Sequence, residues 1–180
     1  MDKETPMKKN TFRIQIGFIA GIVFLWRADP TMTSFAAGAA LMVFGEAIRF
    51  ISAGTLVKFE GVTRDGIYAC VRNPLYIGSF FIGLGACVIG RDIWFTAVYT
   101  AAYILIYRKI ILREETWLTG RYGGDYLSYV GDVPRIIPRR VSPREILAET
   151  APFLAVKNRE LKTVAGIAAV WIVLALKVAI

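Results

Sequence analysis

Five apolar runs set the limits on what this chain can fold into: Ile14–Trp26, Met32–Ala53, Leu75–Gly90, Ile93–Leu112 and Thr163–Ile180. Eighteen helical residues rise about 27 Å, close to the roughly 30 Å hydrocarbon core of a bilayer. Ile14–Trp26 and Leu75–Gly90 are the short runs. Lys8, Lys9 and Arg13 precede the first, as they would in a signal peptide. No small-residue cleavage site follows Trp26, and the run is expected to be kept as a helix. Hydrophobic residues fill 56% of the 180 positions, above the share of an ordinary soluble domain. The expectation is an all-α integral membrane protein of about five transmembrane helices plus cytoplasmic interfacial helices.

The charges agree with an odd number of spans. If the N-terminus is cytoplasmic, Lys3, Lys8, Lys9, Lys58, Arg64, Arg72 and almost every basic residue from Lys109 to Lys162 fall inside. Only Arg27, Arg91 and Lys177 fall outside, and Asp29 and Asp92 lie near the first two. That is the positive-inside pattern. The net charge of +8 then reflects topology and anionic lipid headgroups, not nucleic acid, since no basic stripe is interleaved with stacking aromatics. Cys70 and Cys87 are the two cysteines and there is no histidine. Neither a metal site nor a disulfide framework is expected, and the usual general base is missing.

No repeat or linker divides the chain, which reads as one integral domain. An N-terminal helical hairpin at 11–65 precedes a motif-bearing region at 66–138, and an interfacial helix and last span follow at 139–180. Between the fourth and fifth runs, a helix is expected at Glu115–Arg121, a break at Gly123-Gly124, and an extended path through Val133-Pro134-Arg135-Ile136-Ile137-Pro138. Arg144–Lys162 reads as an amphipathic helix lying on headgroups, or as simple stop-transfer charge at its end.

Several positions could carry chemistry. Glu46 and Arg49, three apart on one face of the second run, are costly at that depth. They form either a packing ion pair or part of a substrate cavity wall. Arg72-Asn73-Pro74 opens the third run, where an arginine and the free N–H groups of a helix start can hold an anion. The bland alternative is a snorkelling arginine. Gly78, Gly83 and Gly85 allow close approach of a ligand or of another helix. Glu114-Glu115 follows the fourth run, able to hold a cation or ribose hydroxyls, or simply to pair with Lys109 and Arg113.

The ordered set G-x-Y-x-x-V-R-N-P-x-Y-x-G from Gly66, G-x-G at Gly83, Glu114-Glu115, Gly120–Tyr129 and V-P-R-I-I-P at Val133 resembles the isoprenylcysteine carboxyl methyltransferase and phospholipid methyltransferase superfamily. The resemblance covers Gly66–Pro138. It implies a membrane enzyme with a pocket for S-adenosyl-L-methionine formed by Tyr68, Arg72, Asn73, Pro74, Tyr76, Gly78, Gly83, Gly85, Glu114, Glu115 and Arg135. Arg72, Asn73 and Glu115 take the catalytic positions. The family usually has histidine where this chain has Asn73, which keeps a hydrogen-bonding group and removes titration near neutral pH.

The acceptor implied is a membrane lipid or prenylated amphiphile. A carboxylate acceptor needs no proton removed, whereas a phosphatidylethanolamine-type amine does. The lack of histidine therefore favours isoprenylcysteine-type O-methylation over phospholipid N-methylation. Two readings from other classes stay open: an NADPH-dependent lipid or sterol reductase, and a non-catalytic module in which Glu46, Arg49 and Arg72 brace helices. The sequence leaves oligomeric state open.

Overall fold

The computed structural model describes residues 11–57, 61–138, 142–158 and 160–179. Every regular element among them is a helix: α1 Thr11–Arg27, α2 Met32–Thr55, α3 Ile67–Cys70, α4 Pro74–Gly90, α5 Ile93–Tyr122, α6 Gly124–Asp132, α7 Pro143–Ala148, α8 Pro152–Lys157 and α9 Glu160–Ala179. Lys3, Lys8, Lys9, Lys58 and Arg159, part of the charge pattern above, lie outside the described residues. By length and composition α2, α5 and α9 can cross a membrane, and α4 is a shorter apolar helix. Helices suit that setting because every backbone group is satisfied within the segment.

Local sequence explains where the long helices start. Thr31 caps α2 through Ser34, each side chain accepting from the other's backbone N–H. Pro74 occupies the first turn of α4, where a missing N–H costs nothing. Asp92 caps α5 by accepting from the Phe95 N–H at 3.0 Å.

The fold is organised around an antiparallel seam between α2 and α4. Gly38 faces Gly85, and Gly45 faces Gly78, one on each helix at the same separation. A Cβ on Gly85 would sit 2.5 Å from the Gly38 carbonyl oxygen, and one on Gly78 2.5 Å from that of Gly45. Only glycine lets the backbones come this close, and small residues serve helix contacts in membranes, where apolar burial between helices gains little. Next to the seam, α9 runs back along α2, with Met42, Ile89 and Leu174 fully buried between the three helices. The Trp171 indole N–H points at the Met42 sulfur at 3.1 Å. Arg27 of α1 bonds Asp92 at 2.6 Å, and the Lys177 ammonium donates to the Leu25 carbonyl at 2.8 Å. These contacts tie the α1, α5 and α9 termini together at one end of the bundle.

At the opposite end two expectations are corrected. The helix expected at Glu115–Arg121 is not separate: α5 continues to Tyr122, and thirty residues rise about 45 Å, longer than a hydrocarbon core. It stops at Gly123, whose φ of +55° suits glycine, and α6 follows directly. Nor is there one amphipathic helix over Arg144–Lys162. Pro152, with no N–H to donate, starts a new helix, and the segment becomes α7, α8 and the first turn of α9. It is fastened to the end of α2 rather than only lying on a surface. Ala155 is fully buried, the Ala151 N–H donates to the Gly54 carbonyl at 3.0 Å, and the Asn158 amide donates to the Ala53 carbonyl at 2.8 Å.

Candidate functional site

Where α4 and α5 begin to part, beside the end of α2, a cavity of about 480 Å³ opens. Its walls come from α2, α3 and the first turns of α4, from α5 and α6, and from the residues around the start of α9. The size suits a small-molecule ligand.

One pole of the cavity is a carboxylate held between two arginines. Glu115, on the part of α5 beyond its apolar run, accepts from Arg72 at 3.1 Å and from Arg135 at 2.6 Å. Arg135 binds in a fork, its Nε also lying 3.0 Å from Glu115. That charged hydrogen bond raises the pKa of the half-exposed Arg135 further. Arg72 is held from the other side by backbone. Its Nη1 donates to the carbonyls of Val130 at 2.9 Å and Val133 at 3.1 Å, and its N–H to Pro134 at 2.9 Å. The Asn73 amide donates to the Arg135 carbonyl at 3.1 Å. The extended Val133–Pro138 path is thereby clipped to the start of α4, and Asn73 acts as a clip with no proton to exchange near neutral pH. Arg72 Nε is buried and has no partner among the described residues.

Glu114 is turned the other way, accepting from the Tyr76 hydroxyl at 2.7 Å. Neither glutamate takes Lys109 or Arg113 as its partner among the described ion pairs. Tyr76 is itself supported by a tyrosine column on α5. Tyr103 donates to the Tyr76 carbonyl at 2.7 Å, and Tyr103 and Tyr107 stack with centroids 3.9 Å apart. Between α3 and α6, the buried Tyr129 hydroxyl donates to the Tyr68 carbonyl at 2.7 Å. Burial pushes the Tyr68 and Tyr129 phenols well above their ordinary range and Tyr126 up to about 12, so all three stay protonated near neutral pH.

The second pole lies further along α2. Arg49 does not pair with Glu46. Its Nε meets Glu160 at 2.6 Å and its Nη2 at 3.1 Å, with Ser79 and Thr163 as further partners. Glu46 instead faces a separate apolar groove between α2 and α9, beside Phe50 and Trp171. Both its carboxyl oxygens are buried without a partner among the described residues.

The expected site residues therefore divide. Tyr68, Arg72, Asn73, Pro74, Tyr76, Glu114 and Glu115 line the cavity together with Arg49, and Arg135 closes on Glu115 from outside. Gly78 and Gly85 lie in the α2–α4 seam, and Gly83 faces the Tyr99 ring; none of the three is among the lining residues. Sequence reasoning missed Glu160, Asn158 and the tyrosine column. The column had a signal, since Tyr99, Tyr103 and Tyr107 recur every four residues; Glu160 had none beyond an acid at the start of an apolar run. Among the described residues no acidic or sulfur cluster could hold a metal.

Comparison with known proteins matches residues 31–125 to the family model described as phospholipid methyltransferase. Among curated proteins, the chain is 30% identical over 99 residues to a protein-S-isoprenylcysteine O-methyltransferase of Schizosaccharomyces pombe, covering 55% of this chain and 42% of the relative. It is 29% identical over 115 residues to the protein of that name from Rattus norvegicus, covering 57% and 40%. With that from Mus musculus it shares 30% over 115 residues, covering 57% and 41%. The chain thus spans about two fifths of the length of these relatives. No solved structure matches. The family match extends over more than half of the chain and includes both Arg72 and Glu115, and on that basis this chain belongs to the phospholipid methyltransferase family.

Proposed function

We propose that this chain is an S-adenosylmethionine-dependent membrane methyltransferase acting on a lipophilic acceptor, of the isoprenylcysteine carboxyl O-methyltransferase kind. The observation that carries the reading is the Arg72–Glu115–Arg135 cluster on a cavity of about 480 Å³. The fit to the methyl donor rests on the donor set. Arg72 Nε, buried and unpartnered among the described residues, suits the carboxylate of an amino acid, Glu114 and Glu115 suit an ammonium or ribose hydroxyls, and the surrounding tyrosine rings suit a cationic sulfonium. When bound, the donor supplies a methyl group whose bond to sulfur breaks as the new bond to the acceptor forms, the electron pair staying on sulfur. The residues of the chain align, exclude water and neutralise, and alignment alone is worth about 7–11 kcal/mol.

A carboxylate acceptor is favoured because few free bases face the cavity: of its three glutamates only Glu114 has no arginine partner among the described residues, and it accepts from the Tyr76 hydroxyl. Tyr68, Tyr126 and Tyr129 stay protonated, Glu115 is held by two arginines, and Glu160 is held by Arg49. The second reading, N-methylation of a phospholipid amine, is favoured by the description of the matching family model. The positive-inside charge pattern supports a cytoplasmic Arg72 end of the bundle, with the N-terminus on the same side.

Labelled S-adenosylmethionine incubated with the protein and a lipid extract tests these together. Base-labile label on the product supports an ester, and stable label supports an N-methyl group. Tight NADPH binding with none for S-adenosylmethionine would overturn both.

A further inference from the structure

The cavity has a second charged pole that the cofactor cluster does not use. A guanidinium carries five N–H donors. On Arg49, Nε and one Nη2 N–H fork onto Glu160, the other Nη2 N–H reaches Thr163 at 3.2 Å, and one Nη1 N–H goes to Ser79. The remaining Nη1 N–H has no partner among the described residues; Arg49 lines the cavity, and a fifth of its side chain (20%) is exposed. Glu160 is almost fully enclosed, at 5%. A buried ion pair rarely gains stability over apolar residues of the same size, so fold stability alone gives no reason for this one. Arg49 stands six residues before the end of α2 at Thr55, about 9 Å further along the helix, on the side an amphiphile leaving the bilayer core would reach first.

We propose that Arg49 is the acceptor-binding residue of this enzyme, that it takes the acceptor's carboxylate through its free Nη1 N–H, and that Glu160 is its positioning residue. This rests on the carboxyl-methylating reading above. The logic is one of charge. A bare guanidinium would grip the carboxylate with a full ion pair and hold back the oxygen that must attack the methyl carbon. Neutralised by Glu160, the same group offers one hydrogen bond, which orients one oxygen and leaves the other free. The nucleophilic oxygen forms the C–O bond, the C–S bond breaks with its electron pair going to sulfur, and no proton moves. Glu160 and Thr163 lie outside the stretch matched by the family model, so the segment leading into α9 would complete the acceptor side.

The test uses the full chain in detergent with N-acetyl-S-farnesyl-cysteine as acceptor probe, reading S-adenosylmethionine affinity by calorimetry alongside kcat and KM for the probe. Arg49→Lys keeps a positive charge beside Glu160, and thus the fold, but loses the fork. It is expected to raise the probe's KM about tenfold or more, the worth of a charge-assisted hydrogen bond, with cofactor affinity and kcat changed less than about threefold. Glu160→Gln is expected to move the other way, lowering KM and lowering kcat, with Glu160→Asp restoring both. A KM unchanged in Arg49→Lys, or a raised KM together with a loss of cofactor affinity in both variants, overturns the assignment. A wild-type protein that binds S-adenosylmethionine and transfers nothing to the probe overturns instead the carboxyl-acceptor reading on which it rests.

Discussion

The two ends of α4 are built on opposite principles. From Gly78 to Gly85 the helix is pressed against α2 with backbone nearly touching backbone. From Arg72 to Tyr76 it carries polar groups that reach outward to α5, α6 and the Val133–Pro138 path. The seam has no room for a ligand and the other end has about 480 Å³. Rigidity at the seam holds the polar end in register, because the cluster depends on groups from separate elements meeting within hydrogen-bond distance. Gly78 and Gly85, expected from the family resemblance to face a cofactor, pack here against α2, in the part that holds the polar end in place.

That contrast can be broken by experiment, most forcefully at Glu115. Removing it in Glu115→Ala leaves Arg72, 6% exposed, without its carboxylate, and breaking such a buried pair costs about 3–5 kcal/mol. Calorimetry on folded material should detect no S-adenosylmethionine binding; retained affinity would return the cluster to a bracing role. Next comes Gly85→Ala, whose Cβ would meet the Gly38 carbonyl oxygen at 2.5 Å. It should lower stability by about 1–3 kcal/mol, as overpacking does, while the folded fraction binds the cofactor as before. Thermal unfolding in detergent with parallel titration reads both, and a selective loss of binding would move Gly85 into the site.

A smaller effect is expected from Tyr76→Phe, which deletes the donor to Glu114 at 2.7 Å and keeps the carbonyl that holds Tyr103. Partly exposed, this bond should be worth about a threefold loss of cofactor affinity. The smallest concerns the far end of the bundle. The Asp92 carboxyl is held below its ordinary range first by the Phe95 N–H and then by Arg27. A depressed acid contributes stability above its unfolded pKa and loses it as pH falls through the folded value. The Asp92 contribution to the unfolding midpoint should therefore be full above about pH 5 and lost below it, and Asp92→Asn should reduce the acid slope.

Much of this was legible along the chain. The apolar runs became α1, α2, α4, α5 and α9, and Pro74 and the Gly123 break stand where the sequence puts them, because hydropathy and backbone freedom act locally. Arg72, Tyr76, Glu114 and Glu115, which the fold brings to one cavity, were legible as a group because a motif holds them in a fixed order. The single helix expected over Arg144–Lys162 failed at Pro152, whose effect was outweighed in the reading by the charge pattern around it.

What the sequence alone determined, then, is the helical membrane class and the residues of one pole of the cavity, since composition, periodicity and motif order are properties of neighbours in the chain. What only the tertiary structure decided is who meets whom: Arg49 with Glu160, 111 positions away, instead of with Glu46 three positions away, and Gly78 and Gly85 with Gly45 and Gly38 of α2. Such pairings depend on which faces two helices turn toward each other, and that is fixed by packing of the whole bundle, not by any one segment.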